Sequence, residues 1–219
     1  MNLLFRNAAI LVLSGLVAVM ALHYGSLRLR RGRKGLPTQG IRRYNRWERF
    51  LHLGLLASFL LAAVTGFWAG LVRGAALGGY VLLVHIAAGV AFCPCLAAMA
   101  LTWAEANRLD LSPADQGDPG RLGLSEKLCF WGIALSGLVT VAATMFSMTR
   151  LPGSDGLRIL SEVHRYGALS LLSVVLVHAY FASVVKPGRF NLLLARKGAP
   201  GPSDGPPQHR VDGKERTRR

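Results

Sequence analysis

Five stretches of the chain are apolar for long enough to cross a bilayer, and polar or basic segments separate them. They run over about residues 7–24, 48–70, 79–103, 127–147 and 159–185. Each is close to the ~20 residues that a transmembrane helix needs. The pattern predicts an all-α membrane protein, and no soluble segment is large enough to hold its own core. The first stretch resembles a signal peptide in length. Only Arg6 precedes it, however, whereas Arg28, Arg30, Arg31, Arg33 and Lys34 follow. That asymmetry predicts an uncleaved anchor with its N-terminus outside.

Charge completes the topology. The chain is 52% hydrophobic and carries a formal net charge of +15. A total this basic suits nucleic acid, but here the charge lies in blocks between apolar runs, which points to the positive-inside rule instead. Of the 26 Lys and Arg residues, 21 fall on one side of the predicted topology and five on the other. The larger set is therefore placed in the cytoplasm and the protein in a bacterial inner membrane, with no nucleic-acid partner. Trp47, Trp103 and Trp131 are expected at the cytoplasmic interface, Trp68 and Tyr80 at the outer one. The segment 104–126 reads as a turn-rich connection, and the tail from Lys197 onward as disordered, its basic residues near anionic headgroups.

Besides His23 at the end of the first, the apolar stretches contain four histidines. His164 and His178 share the last span and are 14 residues apart. On a helix this is a rise of ~21 Å and a rotation about 40° short of four turns, so both rings leave one face. His52 lies in the first turns of span two, near the cytoplasm, and His85 about two turns into span three, near the outside. The four thus sort by depth into His52 with His178 and His85 with His164. Each pair joins two helices, as bis-histidine haem ligation in a bundle requires. A single membrane histidine is more often a hydrogen-bonding residue between helices; four that pair by depth point to two metal-centred cofactors stacked across the membrane. Arg46 and Arg49 offer partners for the propionates of an inner haem and Arg165 for those of an outer one, although Glu162 also offers Arg165 a partner. Gly54, Gly89 and Gly167 follow the histidines closely and would let a flat macrocycle approach the backbone, or simply allow tight helix packing. His23 and His209 are assigned to interface and solvent. Cys93-Pro94-Cys95 is read as a helix kink with two packed thiols. The three cysteines include no c-type haem motif. No nucleophile–base set or nucleotide-binding motif appears, so no catalytic residue is assigned. The competing reading is a haem-free anchor or small transporter whose histidines bind metal or relay protons.

Several motifs match a known group. The run Arg43-Tyr44-Asn45-Arg46-Trp47-Glu48-Arg49-Phe50-Leu51-His52, then Thr65-Gly66, Glu126-Lys127-Leu128-Cys129-Phe130-Trp131 with Ser136-Gly137, Val163-His164-Arg165 and His178-Ala179-Tyr180 carry the match. They resemble the gamma, or cytochrome b, subunit of respiratory formate dehydrogenases, a group similar to the b-type cytochromes of nickel–iron hydrogenases. The resemblance implies three regions: an N-terminal anchor with a basic segment (1–41), a four-helix bundle (42–190) and a basic tail (191–219). It implies two b-type haems, the outer on His85 and His164 and the inner on His52 and His178. It also implies an electron-transfer subunit of an oxidoreductase complex. The partners would be iron–sulfur and catalytic subunits of a dehydrogenase or hydrogenase, outside, and menaquinone or ubiquinone at the cytoplasmic side. The family usually has an Asn-x-Gly-Gln-Lys stretch at its quinone pocket. Here Gly123-Leu124-Ser125-Glu126-Lys127 stands in its place, and only the lysine persists. Ser125, Glu126, Lys127 and His178 are the expected quinone contacts.

Overall fold

A computed structural model describes residues 3–31, 45–105, 107–108, 124–149 and 151–185. Expectations that concern Arg42, Arg43, Arg121, Arg150, most of the 104–126 connection, His209 and the tail lie outside them. Among the described residues there are five long helices and no strands. They are α1 (Leu3–Arg31), α2 (Arg46–Phe67), α3 (Gly79–Trp103), α4 (Leu124–Ser147) and α5 (Gly153–Tyr180). Two of them end in a π-helical stretch, α2 through Trp68–Arg73 and α5 through Phe181–Val185. All five are long and apolar enough to span a membrane. Helices satisfy every backbone group internally, which the absence of water in the hydrocarbon demands.

The helices outrun the apolar stretches that predict them. α1 has 29 residues, a length of ~43 Å against a hydrocarbon thickness of ~30 Å, so its basic end projects beyond the apolar zone. α2 starts at Arg46 because Asn45 and Glu48 form a capping box. The Asn45 side-chain oxygen accepts from the Glu48 amide at 2.7 Å. The Glu48 carboxylate accepts from the Asn45 amide at 2.8 Å. Two amides that the helix start would strand are thereby satisfied. α5 begins at Gly153, so residues 153–158, expected in a loop, form its first turns. The helix starts earlier than expected because apolar length underestimates a helix whose first turns are polar. The α2–α3 turn shows the same effect: 71–73 remain helical, and Gly74 (φ 61°) and Gly79 (φ 57°) take the left-handed backbone that closes the turn.

The packing follows two hairpins. Backbone approach is extensive between α2 and α3 and between α4 and α5, and sparse between the hairpins. Gly137 permits part of that sparse contact, because a β-carbon there would come within 2.7 Å of Leu96. The seam between the hairpins is filled at mid-depth by buried Leu55, Phe59, Phe92, Leu96, Met99 and Leu171. α1 lies along α5, with Phe5 and Ala9 against Leu169 and the Phe5 ring edge-on to Tyr166 at 5.4 Å. The fold is thus a four-helix bundle with one extra N-terminal helix on its flank. α3 continues through Pro94, and Cys95 packs against the core and against α2, its sulfur 3.4 Å from where a Gly54 β-carbon would stand. Many large apolar side chains, such as Val64, Leu101 and Leu135, remain exposed, as a lipid-facing surface requires.

Candidate functional site: two histidine pairs across a helix seam

Let the end of the bundle that carries the starts of α2 and α4 and the ends of α3 and α5 be the inner end. The four intramembrane histidines project into the seam, and the structure brings them together in two pairs. At the inner end the ring centroids of His52 (α2) and His178 (α5) are 6.4 Å apart. At the outer end those of His85 (α3) and His164 (α5) are 6.2 Å apart. Both pairs bridge one hairpin to the other, where backbone contact is sparse. Centroids this far apart also occur between packed rings, and they fit two imidazoles on one ion equally. A metal–imidazole bond is about 2.0–2.1 Å; two such bonds to one ion, plus the half-width of each ring, give a separation of this size.

The outer pair carries a second layer. The Nδ1 atom of His85 lies 3.1 Å from the Ala62 carbonyl oxygen and 2.9 Å from Thr65 Oγ1. The Nδ1 atom of His164 lies 3.1 Å from the Thr140 carbonyl oxygen and 2.8 Å from Thr144 Oγ1. A carbonyl only accepts, so each Nδ1 carries the proton and donates. The tautomer assigned from this network leaves each Nε2 with a bare lone pair, the state a metal ligand needs. Gly66 makes room for the His85 ring: a β-carbon there would be 3.0 Å from its Cε1. Of the two readings for Gly167, a macrocycle or tight helix packing, the structure shows close packing on α4: a β-carbon would fall 2.7 Å from Thr140 Oγ1. Gly89 meets nothing within 4 Å among the described residues.

The inner end is closed by polar contacts between helices. Trp103 Nε1 donates to Glu48 Oε1 at 3.3 Å, and the Trp103 ring lies 6.1 Å from that of His52. Trp131 Nε1 donates to the Asn107 carbonyl at 2.9 Å. Glu48 and Asn107 are both buried. Two of the three expected cytoplasmic-side tryptophans therefore cross-brace α2, α3 and α4, while Trp47 stays exposed. Of the expected quinone contacts, Ser125 is exposed, while Glu126 and Lys127 are half-buried in the first turn of α4. Glu126 starts α4 at the same end of the bundle as the inner pair. Arg46 is exposed and Arg49 half-buried beside this end. At the outer end, Arg165 Nη1 donates to Glu162 Oε1 at 2.9 Å, so its guanidinium is already held by its neighbour on the helix. A cavity of about 600 Å³ on the α4–α5 surface, lined by Arg158, Glu162 and Tyr166 among others, lies on α5 positions turned away from His164 and belongs to neither pair.

Three contacts escaped the sequence reading. Thr65 and Thr144 stand 20 positions before His85 and His164 respectively, and this shared interval was the available signal. His23, assigned to the interface, instead places Nδ1 2.7 Å from the Tyr180 hydroxyl, edge-on to its ring, and so ties α1 to the helix that carries His178. No sequence interval announces that contact.

The donor set limits what the pairs can hold. Among the described residues no group of three or more His, Cys, Asp or Glu converges on one point. A bare ion would be left with two protein ligands, far short of a closed site. A planar macrocycle that brings its own four nitrogens needs only two axial imidazoles from opposite sides, and the seam supplies two such pairs. No curated protein and no solved structure matches the chain. A family model described as prokaryotic cytochrome b561 matches residues 43–196, which covers α2 to α5 and all four paired histidines. That match displaces the reading of a haem-free anchor, and with the helical bundle it establishes that the chain belongs to the prokaryotic cytochrome b561 family of nickel–iron hydrogenase-type b cytochromes, membrane proteins that bind b-type haem and transfer electrons.

Proposed function

We propose that this chain holds two b-type haems, the outer on His85 and His164 and the inner on His52 and His178, and links an electron donor outside to quinone at the cytoplasmic side. The observation that carries this reading is the pair of inter-hairpin histidine contacts, both near the spacing expected of two imidazoles on one iron. When bound, each haem supplies a one-electron iron couple. The protein's part is to present lone pairs, to keep water out of the seam and to seat the charged edge of the macrocycle. Arg46 and Arg49 are the propionate partners at the inner site, and Arg165, shared with Glu162, at the outer one. Mid-seam, the Phe59 and Phe92 rings, 6.4 Å apart, separate the two sites with apolar material.

The test is the haem content of the purified protein with its reduced-minus-oxidised spectrum. The expected result is two low-spin haems per chain. One haem, or a high-spin spectrum, overturns the pairing.

Orientation is part of the proposal, and charge supports it, because the basic segments cluster at the inner end. The outer end then presents a short turn at residues 74–78 and suits docking of an iron–sulfur subunit and its catalytic partner. Ser154, exposed in the first turn of α5, is the reporter. A cross-linker on S154C is expected to capture the iron–sulfur partner in membranes that contain the whole complex. Capture only from cytoplasmic positions would reverse the orientation.

A further inference from the structure

The outer histidines are held by the same device twice, and it lies on both hairpins. In α2–α3 a threonine of the first helix reaches the histidine of the second, Thr65 to His85. In α4–α5 the same happens between Thr144 and His164. The interval is 20 residues in each case. In each the histidine Nδ1 also meets a backbone carbonyl one turn before the threonine, that of Ala62 or Thr140.

The hydroxyls are not neutral spectators. Thr65 Oγ1 lies 2.7 Å from the Leu61 carbonyl and 3.0 Å from that of Ala62. Thr144 Oγ1 lies 3.1 Å from the Thr140 carbonyl. A hydroxyl has one hydrogen, and its own helix takes it. What each threonine offers the imidazole is therefore a lone pair. The Nδ1–H is shared between that lone pair and the carbonyl, and the ring has two anchors rather than one. A ring held this way cannot turn over to present Nδ1, and its Nε2 is made a stronger donor.

We propose that Thr65 and Thr144 are positioning residues of the outer haem site: they set the tautomer, the ring plane and the donor strength of His85 and His164. This rests on the two-haem reading and goes beyond it, since it assigns to two residues outside the ligand set the control of one haem's potential. A strong-donor pair of axial ligands favours the ferric state, so the device holds the outer haem at a lower potential than the same ligands would without it.

The experiment uses full-length protein carrying T65V, T144V or T65S. Valine keeps the shape and removes the lone pair; serine keeps the lone pair. The readouts are an optical redox titration of both haems and the low-spin electron paramagnetic resonance signals, with the outer haem identified as the one absent from H85A. Each valine variant is expected to raise the midpoint of the outer haem alone. Its reduced-to-oxidised ratio at a fixed potential should rise roughly 3- to 10-fold, the scale of one lost hydrogen bond, with a shifted resonance signal. T65S is expected to behave as the wild type. Should T65V shed the outer haem while it keeps the inner one, T65S decides: recovery supports the assignment and continued loss overturns it. Unchanged potentials and resonance signals, or equal shifts of both haems, also overturn it. A wild type without low-spin haem overturns the two-haem reading itself; a haem-replete wild type with valine variants that match it overturns this inference alone.

Discussion

Alanine at His85 or His164 is expected to lower the haem content from two per chain to one, and alanine at His52 or His178 to do the same while removing the other haem. Each pair spans the seam with one imidazole from each hairpin, so on the proposed two-haem reading loss of either partner would leave a haem with one axial ligand and one open side. The lost histidine cannot be replaced locally, because no third metal-binding side chain converges on either pair among the described residues. The sites should also fail independently. Phe59 and Phe92, each seven residues along its helix from His52 or His85, pack together in the seam between them. Haem extraction and the difference spectrum of the four variants, measured on protein of equal folded yield, check this. If H85A and H52A remove the same haem, the assignment by depth is wrong.

The second large effect is expected at Glu126. Reduction of a quinone to a quinol takes two electrons and two protons. On the proposed orientation, protons for a quinone at the inner end would come from the cytoplasm across the headgroup zone. Glu126 lies in the first turn of α4, half-buried, at the end of the bundle that carries His178. It thus joins an interfacial position to the edge of the proposed inner site. Ser125 and Lys127 flank it with a hydroxyl and an ammonium that can donate to a quinone carbonyl. A positioned proton carrier contributes on the order of 10²- to 10⁴-fold; because water can partly replace it at an interface, E126Q is expected to slow quinone reduction by roughly 10²-fold. Both haems should remain bound and their reduction by the donor should stay fast. The check is quinone turnover against donor-driven haem reduction in the same membranes. Unchanged turnover, with unchanged sensitivity to a quinone-site inhibitor, removes Glu126 from the mechanism. The carboxylate would then serve only as a favourable negative charge at a helix N-terminus.

Both effects turn on residues that could be found before any fold was known, because depth in a membrane is close to a one-dimensional property. Apolar length marks the spans, the excess of Lys and Arg orients them, and a rise of ~1.5 Å per residue converts position into height. Those local rules sufficed to match His52 with His178 and His85 with His164, and to put Glu126 and Trp131 at the level of His178. They failed at helix ends: residues 153–158 and 71–73 are helical although their composition suggests a connection.

What the sequence could not determine is lateral. Which helix lies beside which, and at what rotation, is decided by packing between side chains far apart in the chain. The Ala62 and Thr140 carbonyls became acceptors for His85 and His164 only when each hairpin closed. Gly167, equally suited to a macrocycle or a helix, went to the helix because Thr140 fills the space. His23 found Tyr180 because α1 settled on α5 rather than on another flank, and Glu48 capped its own helix while also receiving Trp103. The span pattern and the histidine depths were thus determined by the sequence alone, since hydrophobic thickness and helical rise act residue by residue. The clamps, the braces and the flank taken by α1 were decided by the tertiary structure, since a hydrogen bond is made only when its partner arrives within about 3 Å and in line.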